Sequence, residues 1–145
     1  MVGRYLKLRT GATDTVAAPG QRLTLTLDVT PGPKIHVYAP GQTGYISIAL
    51  KMNESPDWRS APAAFPTATP FVDPAGEHVT VYDQPFRVAQ NITLTLTPSM
   101  RERGAARQQL VVSGAFEYQA CDEKVCYRPE TIPVQWTLAL TPIEP

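Results

Sequence analysis

Hydrophobic and polar residues alternate along several stretches of the chain. Residues 22–30, for example, read RLTLTLDVT, with leucine or valine at every second position. A period of two is typical of a β-strand that has one face in a core and the other in water. The same alternation predicts strands over residues 45–51, 91–97, 110–118 and 131–140, and weaker patterns predict strands over residues 5–9, 34–38, 79–82 and 86–88.

Turn-forming residues separate the predicted strands. The sequence contains 15 prolines and 9 glycines, which argues against long helices because proline removes a backbone donor and clashes with the preceding turn. Only residues 101–109 predict a helical turn, and Gly104 weakens it. About eight short strands with turns between them predict an all-β fold, an antiparallel immunoglobulin-like β-sandwich. The length of 145 residues suits one domain over residues 1–145.

Residues 53–76 depart from this pattern. They read NESPDWRSAPAAFPTATPFVDPAG, which is rich in proline and shows little alternation. The segment is therefore predicted to be a long ordered loop. Loops of this length inside a compact domain are uncommon and are often functional. One hypothesis is a lid over an active site, and the alternative is a surface loop without a role.

Charge and hydropathy exclude some classes of partner. Thirteen basic and thirteen acidic residues cancel, so no global positive field attracts nucleic acid. The sequence has no apolar run long enough for a membrane-spanning helix. No secretory signal is visible at the amino terminus, so the protein is either cytoplasmic or a mature extracytoplasmic chain whose signal has been removed. The cysteine pair described next favours the extracytoplasmic location.

The chain's two cysteines, Cys121 and Cys126, lie close together in the stretch YQACDEKVCYRP over residues 118–129. They lie between two predicted strands, and a connection of this length is common in hairpins. Cysteines opposite each other in such a hairpin have the Cα separation of roughly 5.5–6 Å that disulfides prefer. Tyr118 and Tyr127 flank the pair and are predicted to shield its sulfur atoms. The spacing therefore permits a disulfide without rearrangement of the chain.

Three roles for this pair stay open on the residues alone. A redox-active pair is favoured, because the second cysteine can resolve a mixed disulfide that the first one forms. A structural disulfide is the second role, although so short a loop restrains the unfolded chain only weakly. Metal binding is the third: the two cysteines, His36 and His78 form a nominal zinc set, but the histidines lack zinc-finger spacing.

The cysteine segment resembles a known family. Residues 116–129, FEYQACDEKVCYRP, resemble the active-site segment of the amino-terminal domain of the DsbD family of bacterial inner-membrane thiol:disulfide interchange proteins. The family pattern is Tyr-Gln-x-Cys, a short acidic insert and Cys-Tyr-x-Pro, and every fixed position is present. Residues 34–41, KIHVYAPG, and 79–82, VTVY, resemble two further family segments. The resemblance covers residues 21–140, and only the cysteine motif is specific.

The resemblance implies a periplasmic immunoglobulin-like domain that acts as a protein-disulfide reductase. In the family, a DsbD-type membrane domain and a thioredoxin-like domain supply electrons to this module. The module in turn reduces periplasmic disulfide isomerases and cytochrome-maturation proteins. The redox-active disulfide replaces any bound cofactor or metal. By motif, Cys126 forms the mixed disulfide and Cys121 resolves it, while Tyr38 and His36 belong to the active-site wall.

The sequence departs from the family at the expected lid. The family's type member has a capping loop in which an acidic pair precedes aromatic residues that cover the disulfide. The corresponding residues 71–78 read FVDPAGEH and lack that order. Phe71 is the candidate lid residue in this chain.

Overall fold

The computed structural model describes residues 3–42 and 44–143. Over these residues the chain forms twelve strands and one helix: β1 Leu6–Ala12, β2 Val16–Ala17, β3 Arg22–Pro31, β4 His36–Tyr38, β5 Ala49–Met52, β6 Trp58–Ser60, β7 Thr69–Val72, β8 His78–Tyr82, β9 Phe86–Leu94, α1 Pro98–Ala105, β10 Gln109–Tyr118, β11 Ala120–Cys121 and β12 Glu130–Leu140.

The strands form three sheets of four strands. Two of them, ordered β1-β3-β9-β6 and β2-β12-β10-β5, make up the body of the sandwich, and the third is ordered β11-β4-β8-β7. All pairings between neighbouring strands are antiparallel except that of β12 with β2. The predicted all-β, antiparallel sandwich is confirmed.

A single hydrophobic core joins the two larger sheets. The alternating residues of β3 and β10 point into it, so that Leu25 and Phe116 are both completely buried. Trp136 of β12 packs in the same core, and its indole N–H donates a hydrogen bond of 3.0 Å to the Thr26 carbonyl of β3. A buried Trp N–H requires such a partner, and this bond ties one sheet to the other.

The observed strands differ from the predicted ones in two regions. Residues 86–88 and 91–97 were expected to be separate strands, but β9 runs without interruption from Phe86 to Leu94 along β3. Leu96, expected in the core, is 51% exposed because the strand has ended before it. The strand expected over residues 45–51 begins only at Ala49, and Ile46 is 46% exposed. Period-two alternation therefore continued beyond the strand ends in both places.

The helix lies earlier in the sequence than expected. The helical turn was predicted over residues 101–109, whereas α1 begins at Pro98 and Gln109 already belongs to β10. The Thr97 side chain accepts a hydrogen bond from the Met100 N–H, and proline follows directly, so residues 97 and 98 form a standard helix start. No helix in residues 3–42 and 44–143 is long and apolar enough to cross a membrane.

Residues 53–76 contain more regular structure than the predicted loop. They include β6, which extends the first sheet beside β9, and β7, which forms the edge of the third sheet beside β8. Proline is tolerated at sheet edges because its missing N–H is not needed there, and Pro70 lies within edge strand β7. The segment therefore connects the body of the sandwich to the third sheet, which carries Cys121.

Candidate redox site

Cys121 and Cys126 are joined by a disulfide across a tight hairpin. Their Cα atoms are 4.0 Å apart, closer than the separation expected from sequence. The Asp122 N–H donates to the Val125 carbonyl at 2.9 Å, and the Tyr127 N–H donates to the Ala120 carbonyl at 2.8 Å. These bonds lie on either side of the cysteines, which makes them a non-hydrogen-bonded pair, the closer of the two antiparallel pair types.

The two sulfur-bearing residues differ strongly in exposure. Cys121 is 1% exposed and packs with Tyr38, Val79 and Val81 in a small cluster beside the main core. Cys126, on the other arm of the hairpin, is exposed. An attacking thiolate must approach a disulfide sulfur directly. Access therefore favours attack at Cys126 and leaves Cys121 as the protected sulfur.

Asp122 holds the tip of the hairpin in place. Its Oδ1 accepts hydrogen bonds from the backbone N–H groups of Lys124, at 2.7 Å, and Val125, at 2.8 Å. The Tyr127 hydroxyl donates to its other carboxylate oxygen. These bonds, led by that from Tyr127, lower the pKa of Asp122 to about 2. The same carboxylate raises the pKa of the Tyr127 hydroxyl.

We expect the hairpin tip to loosen when Asp122 is protonated. Because its folded pKa lies below the unfolded value of about 3.9, its contribution is complete above pH 4 and is lost as pH falls toward 2. An Asp122→Asn change should raise amide exchange at Lys124 and Val125 at neutral pH, measured by NMR. Glu123→Gln, at the exposed neighbouring carboxylate, is the control. Unchanged exchange in Asp122→Asn would contradict this role.

A pocket of about 230 Å³ opens beside the disulfide, between the hairpin and the third sheet. Its lining combines both cysteines with aromatic side chains, the residues that follow β7 and the hairpin tip. The lining residues are His36, Tyr38, Tyr45, Pro74, Ala75, Cys121, Asp122, Lys124, Val125 and Cys126. Of the residues predicted from sequence, the structure therefore brings His36 and Tyr38 together with the cysteines.

His36 and Tyr38 point into this pocket from β4. His36 lies opposite Cys121 in the antiparallel register of β4 and β11. Its Nε2 is 3.4 Å from the Tyr38 hydroxyl oxygen, which in turn is 4.0 Å from Cys126 Sγ. Burial raises the pKa of the Tyr38 hydroxyl and lowers that of the His36 imidazole. Both groups are therefore favoured in their neutral forms.

Residues that follow β7 form the outer wall of the pocket. Asp73 Oδ1 accepts hydrogen bonds from the N–H groups of Ala75, at 2.9 Å, and Glu77, at 2.8 Å. Gly76 has φ +84°, the left-handed conformation that favours glycine. The turn therefore presents Pro74 and Ala75 to the disulfide. Pro74 and Ala75 lie within residues 53–76, the segment considered as a lid, although neither was itself predicted to be a site residue.

Tyr45 anchors this turn and was also missed from sequence. Its ring stacks on Tyr38 with centroids 4.1 Å apart, and its hydroxyl donates to Asp73. The bond lowers the pKa of Asp73 and raises that of the Tyr45 hydroxyl. Periodicity placed Tyr45 at the start of the strand expected over residues 45–51, but β5 begins only at Ala49 and Tyr45 lies in the loop before it. Its proximity to the site depends on how the third sheet folds against the hairpin.

The other predicted site residues lie around the pocket rather than in its lining. Phe71 is half-buried behind His36, with ring centroids 4.6 Å apart. Tyr118 is 1% exposed in the main core, and its hydroxyl donates to Glu130. Tyr127 is half-buried on another side of the hairpin. It stacks on Tyr5 at 4.4 Å.

The nominal zinc set does not assemble, because only one of its two histidines, His36, lines the pocket with the cysteines. Across residues 3–42 and 44–143, no group of three or more His, Cys, Asp and Glu side chains is arranged to hold a metal ion. His78 is exposed at the start of β8. The cysteines are engaged with each other in the disulfide.

Comparison with known families agrees with this geometry. The family model for the N-terminal domain of the thiol:disulfide interchange protein DsbD matches residues 8–137. The chain belongs to this family. DsbD N-terminal domains take part in thiol:disulfide exchange with partner proteins, and their redox group is a disulfide rather than a bound cofactor. A search of curated protein sequences finds no match.

Solved structures of the DsbD N-terminal domain and of a related protein share the fold. The N-terminal periplasmic domain of ScsB from Proteus mirabilis is 16% identical, with a TM-score of 0.57 over 97% of this chain and 49% of that one. The present chain thus spans about half of that structure. The reduced DsbD N-terminal domain of Neisseria meningitidis is 15% identical, with a TM-score of 0.50 over 81% of this chain and 77% of that one. These neighbours agree with the predicted immunoglobulin-like fold.

A third structure contains a complex. It joins the DsbD N-terminal and PilB N-terminal domains of Neisseria meningitidis. The match has 14% identity and a TM-score of 0.52, and it covers 92% of this chain and 88% of that one. The fold of this family is therefore seen both free and bound to a second domain.

Proposed function

We propose that the domain passes two electrons at a time between thioredoxin-like proteins outside the cytoplasm, through the Cys121–Cys126 pair. The observation that carries the proposal is the unequal exposure of two bonded sulfurs: Cys126 is open to a partner and Cys121 is buried behind it. A purely structural disulfide does not require this difference in exposure. Exchange needs one accessible sulfur that forms the mixed disulfide and a second sulfur that resolves it.

Reduction of the domain begins at Cys126. A thiolate of the donor attacks Cys126 Sγ, a new disulfide forms between the proteins, and the electron pair of the broken bond leaves on Cys121 Sγ. The donor's second thiolate then attacks its own sulfur in the mixed disulfide and releases Cys126 as a thiolate. Two protons complete the dithiol. The donor ends as a disulfide and the domain carries both electrons.

Delivery runs through the same atoms in reverse. The Cys126 thiolate attacks the disulfide of an acceptor, and the acceptor's other sulfur leaves as a thiolate. Cys121 then attacks Cys126 Sγ and restores the internal disulfide, which releases the acceptor as a dithiol. Because the Cα atoms are already 4.0 Å apart in the disulfide form, the resolving sulfur needs only a small displacement to reach its target.

The proposed partners follow from the family and from the surface around Cys126. Thioredoxin-like domains are favoured because a DsbD N-terminal domain forms a complex with the PilB N-terminal domain. Val125, adjacent to Cys126, is 54% exposed and offers an apolar contact beside the sulfur. Periplasmic disulfide isomerases or cytochrome-maturation proteins are proposed as acceptors. A DsbD-type membrane domain is the proposed source of electrons, and the periplasm the proposed location.

The reduction potential of Cys121–Cys126 tests this function. We expect the protein, equilibrated in a series of thiol/disulfide buffers, to show a potential above roughly −300 mV, the range of exchange-active pairs. The reduced domain should then transfer its electrons to a thioredoxin-like disulfide. A potential below that value, with no transfer, would identify a structural disulfide in a non-catalytic interaction module, and the proposed function would be wrong.

A further inference from the structure

We propose that His36 is a positioning residue that, through the Tyr38 hydroxyl, accepts the proton of the Cys126 thiol. This inference rests on the proposed function, because it assigns the group that prepares Cys126 for attack. Tyr38 contacts the reacting sulfur, and His36 acts through Tyr38. The chain contains only two histidines, and this one lines the pocket beside the disulfide.

The geometry forms a continuous path from the imidazole to the sulfur. His36 Nε2 lies 3.4 Å from the Tyr38 hydroxyl oxygen, and that oxygen lies 4.0 Å from Cys126 Sγ. In the disulfide form Cys126 has no S–H, so Tyr38 must donate in its contact with the sulfur. Its oxygen can then accept from the Nε2–H tautomer of the neutral His36 imidazole. In the disulfide state, His36 thus donates to Tyr38, and Tyr38 donates to Cys126 Sγ.

Ring contacts hold the His36 and Tyr38 side chains in place. The Tyr38 ring is 2% exposed and stacks on Tyr45. His36 is 7% exposed between Tyr38, in an edge contact of 5.4 Å, and Phe71, at 4.6 Å. Side chains that are fixed in this way lose little further freedom when a proton moves along them, which is a requirement for an efficient relay.

The carboxylates near His36 favour uptake of a proton by its imidazole and so act against the effect of burial. Burial lowers the pKa of its imidazole, while the carboxylates of Asp83, after β8, and Asp122, on the hairpin, oppose this effect. The Lys124 ammonium lies on the hairpin at the pocket rim. In the turn after β7, the Asp73 carboxylate accepts a hydrogen bond from the Tyr45 hydroxyl. A thiolate on Cys126 would add a further negative charge at the end of the path.

The proposed proton transfer balances when the reduced domain delivers its electrons. When the reduced domain acts, the Cys126 S–H bond breaks and its proton passes to the Tyr38 oxygen as the Tyr38 proton passes to His36 Nε2. The electron pair stays on Cys126 Sγ, which attacks the acceptor's disulfide. The acceptor's leaving thiolate is protonated from solvent, and His36 later releases its proton to solvent. The relay therefore removes the Cys126 proton as the sulfur attacks and leaves the overall two-electron exchange unchanged.

The measurable consequence is coupling between protonation of the His36 ring and ionisation of the Cys126 thiol. A thiolate on Cys126 favours the imidazolium of His36, and by reciprocity the imidazolium favours the thiolate. NMR titration should therefore give a higher pKa for the His36 ring in the dithiol form than in the disulfide form. The increase should disappear in Tyr38→Phe, which keeps the ring and its stacking on Tyr45 but removes the hydroxyl. His78, exposed on β8, is the internal control for the comparison of the two redox forms.

Reactivity of the thiol supplies a second readout that needs no partner protein. Alkylation of the reduced domain by iodoacetamide at pH 7, followed at Cys126 by mass spectrometry, should slow about fivefold in Tyr38→Phe and in His36→Gln, the effect of losing one hydrogen bond. The double variant should be no slower than either single variant. His78→Gln is the matched control and should react like the unmodified protein.

Three results would overturn the relay. The first is a His36 ring that titrates identically in both redox forms. The second is an increase that survives in Tyr38→Phe, which would mean that the coupling does not pass through this hydroxyl. The third is an unchanged alkylation rate in both variants. Because iodoacetamide replaces the partner, these outcomes are independent of whether the domain exchanges with thioredoxin-like proteins, which the reduction potential and the transfer assay decide.

Discussion

Cys121→Ser and Cys126→Ser are expected to have opposite effects on covalent capture of a thioredoxin-like partner. With Cys121 replaced, the exposed Cys126 should form a mixed disulfide that accumulates, because no internal thiol remains to resolve it. With Cys126 replaced, the remaining sulfur is the buried Cys121, and capture should be much slower. The difference follows from access to the sulfur and does not require the two thiols to differ in intrinsic reactivity.

The measurement uses each single-cysteine variant after activation as a mixed disulfide with a chromogenic aromatic thiol. A thioredoxin-like domain that carries one cysteine is added, and release of the chromophore is followed together with covalent complex on non-reducing gels. Activation and capture at Cys121 should be at least roughly tenfold slower, since each ~1.4 kcal/mol of local opening slows a reaction tenfold. Equal rates at both cysteines, or faster capture at Cys121, would reverse the proposed roles.

Much of the fold could be predicted because the core positions obey period two. In β3, β10 and β12 the predicted inward residues are buried, as with Leu25, Phe116 and Trp136, apart from Ile132, which is half-buried. Errors arose at strand ends. Leu96 continues the alternation of β9, but Thr97 and Pro98 begin a helix directly after it. Alternation reports which face a residue would occupy in a strand and does not report where hydrogen-bond pairing stops.

The candidate site was predicted less completely, for a different physical reason. The cysteine hairpin is local in sequence, so its spacing already showed that Cys121 and Cys126 could form a disulfide. Tyr45 and Asp73 come from loops on either side of a long segment and meet only when the third sheet forms. Local pattern contains no information on such a contact. The asymmetric exposure of the two cysteines likewise depends on the cluster that covers Cys121.

Loss of core packing is expected to destabilise the domain more than reduction of its disulfide. Phe116 is completely buried at the centre of β10, and Phe116→Ala should lower the free energy of unfolding by about 3–5 kcal/mol. The disulfide closes a loop with a sequence separation of only 5, for which the chain-entropy model gives about 2 kcal/mol. A redox module must stay folded as a dithiol. It can do so here if the disulfide contributes less to the free energy of unfolding than core packing does.

Chemical denaturation with and without reductant measures both quantities. Val111→Ala, on the exposed face of the same strand, is the matched control and should cost about 0.5 kcal/mol or less. The effects of Phe116→Ala and of reduction should add within about 0.5 kcal/mol, because Phe116 and Cys121 belong to separate clusters. If reduction alone unfolded the domain, or cost more than Phe116→Ala, the disulfide would be a structural element that the fold cannot lose, and a role in repeated electron exchange would be untenable.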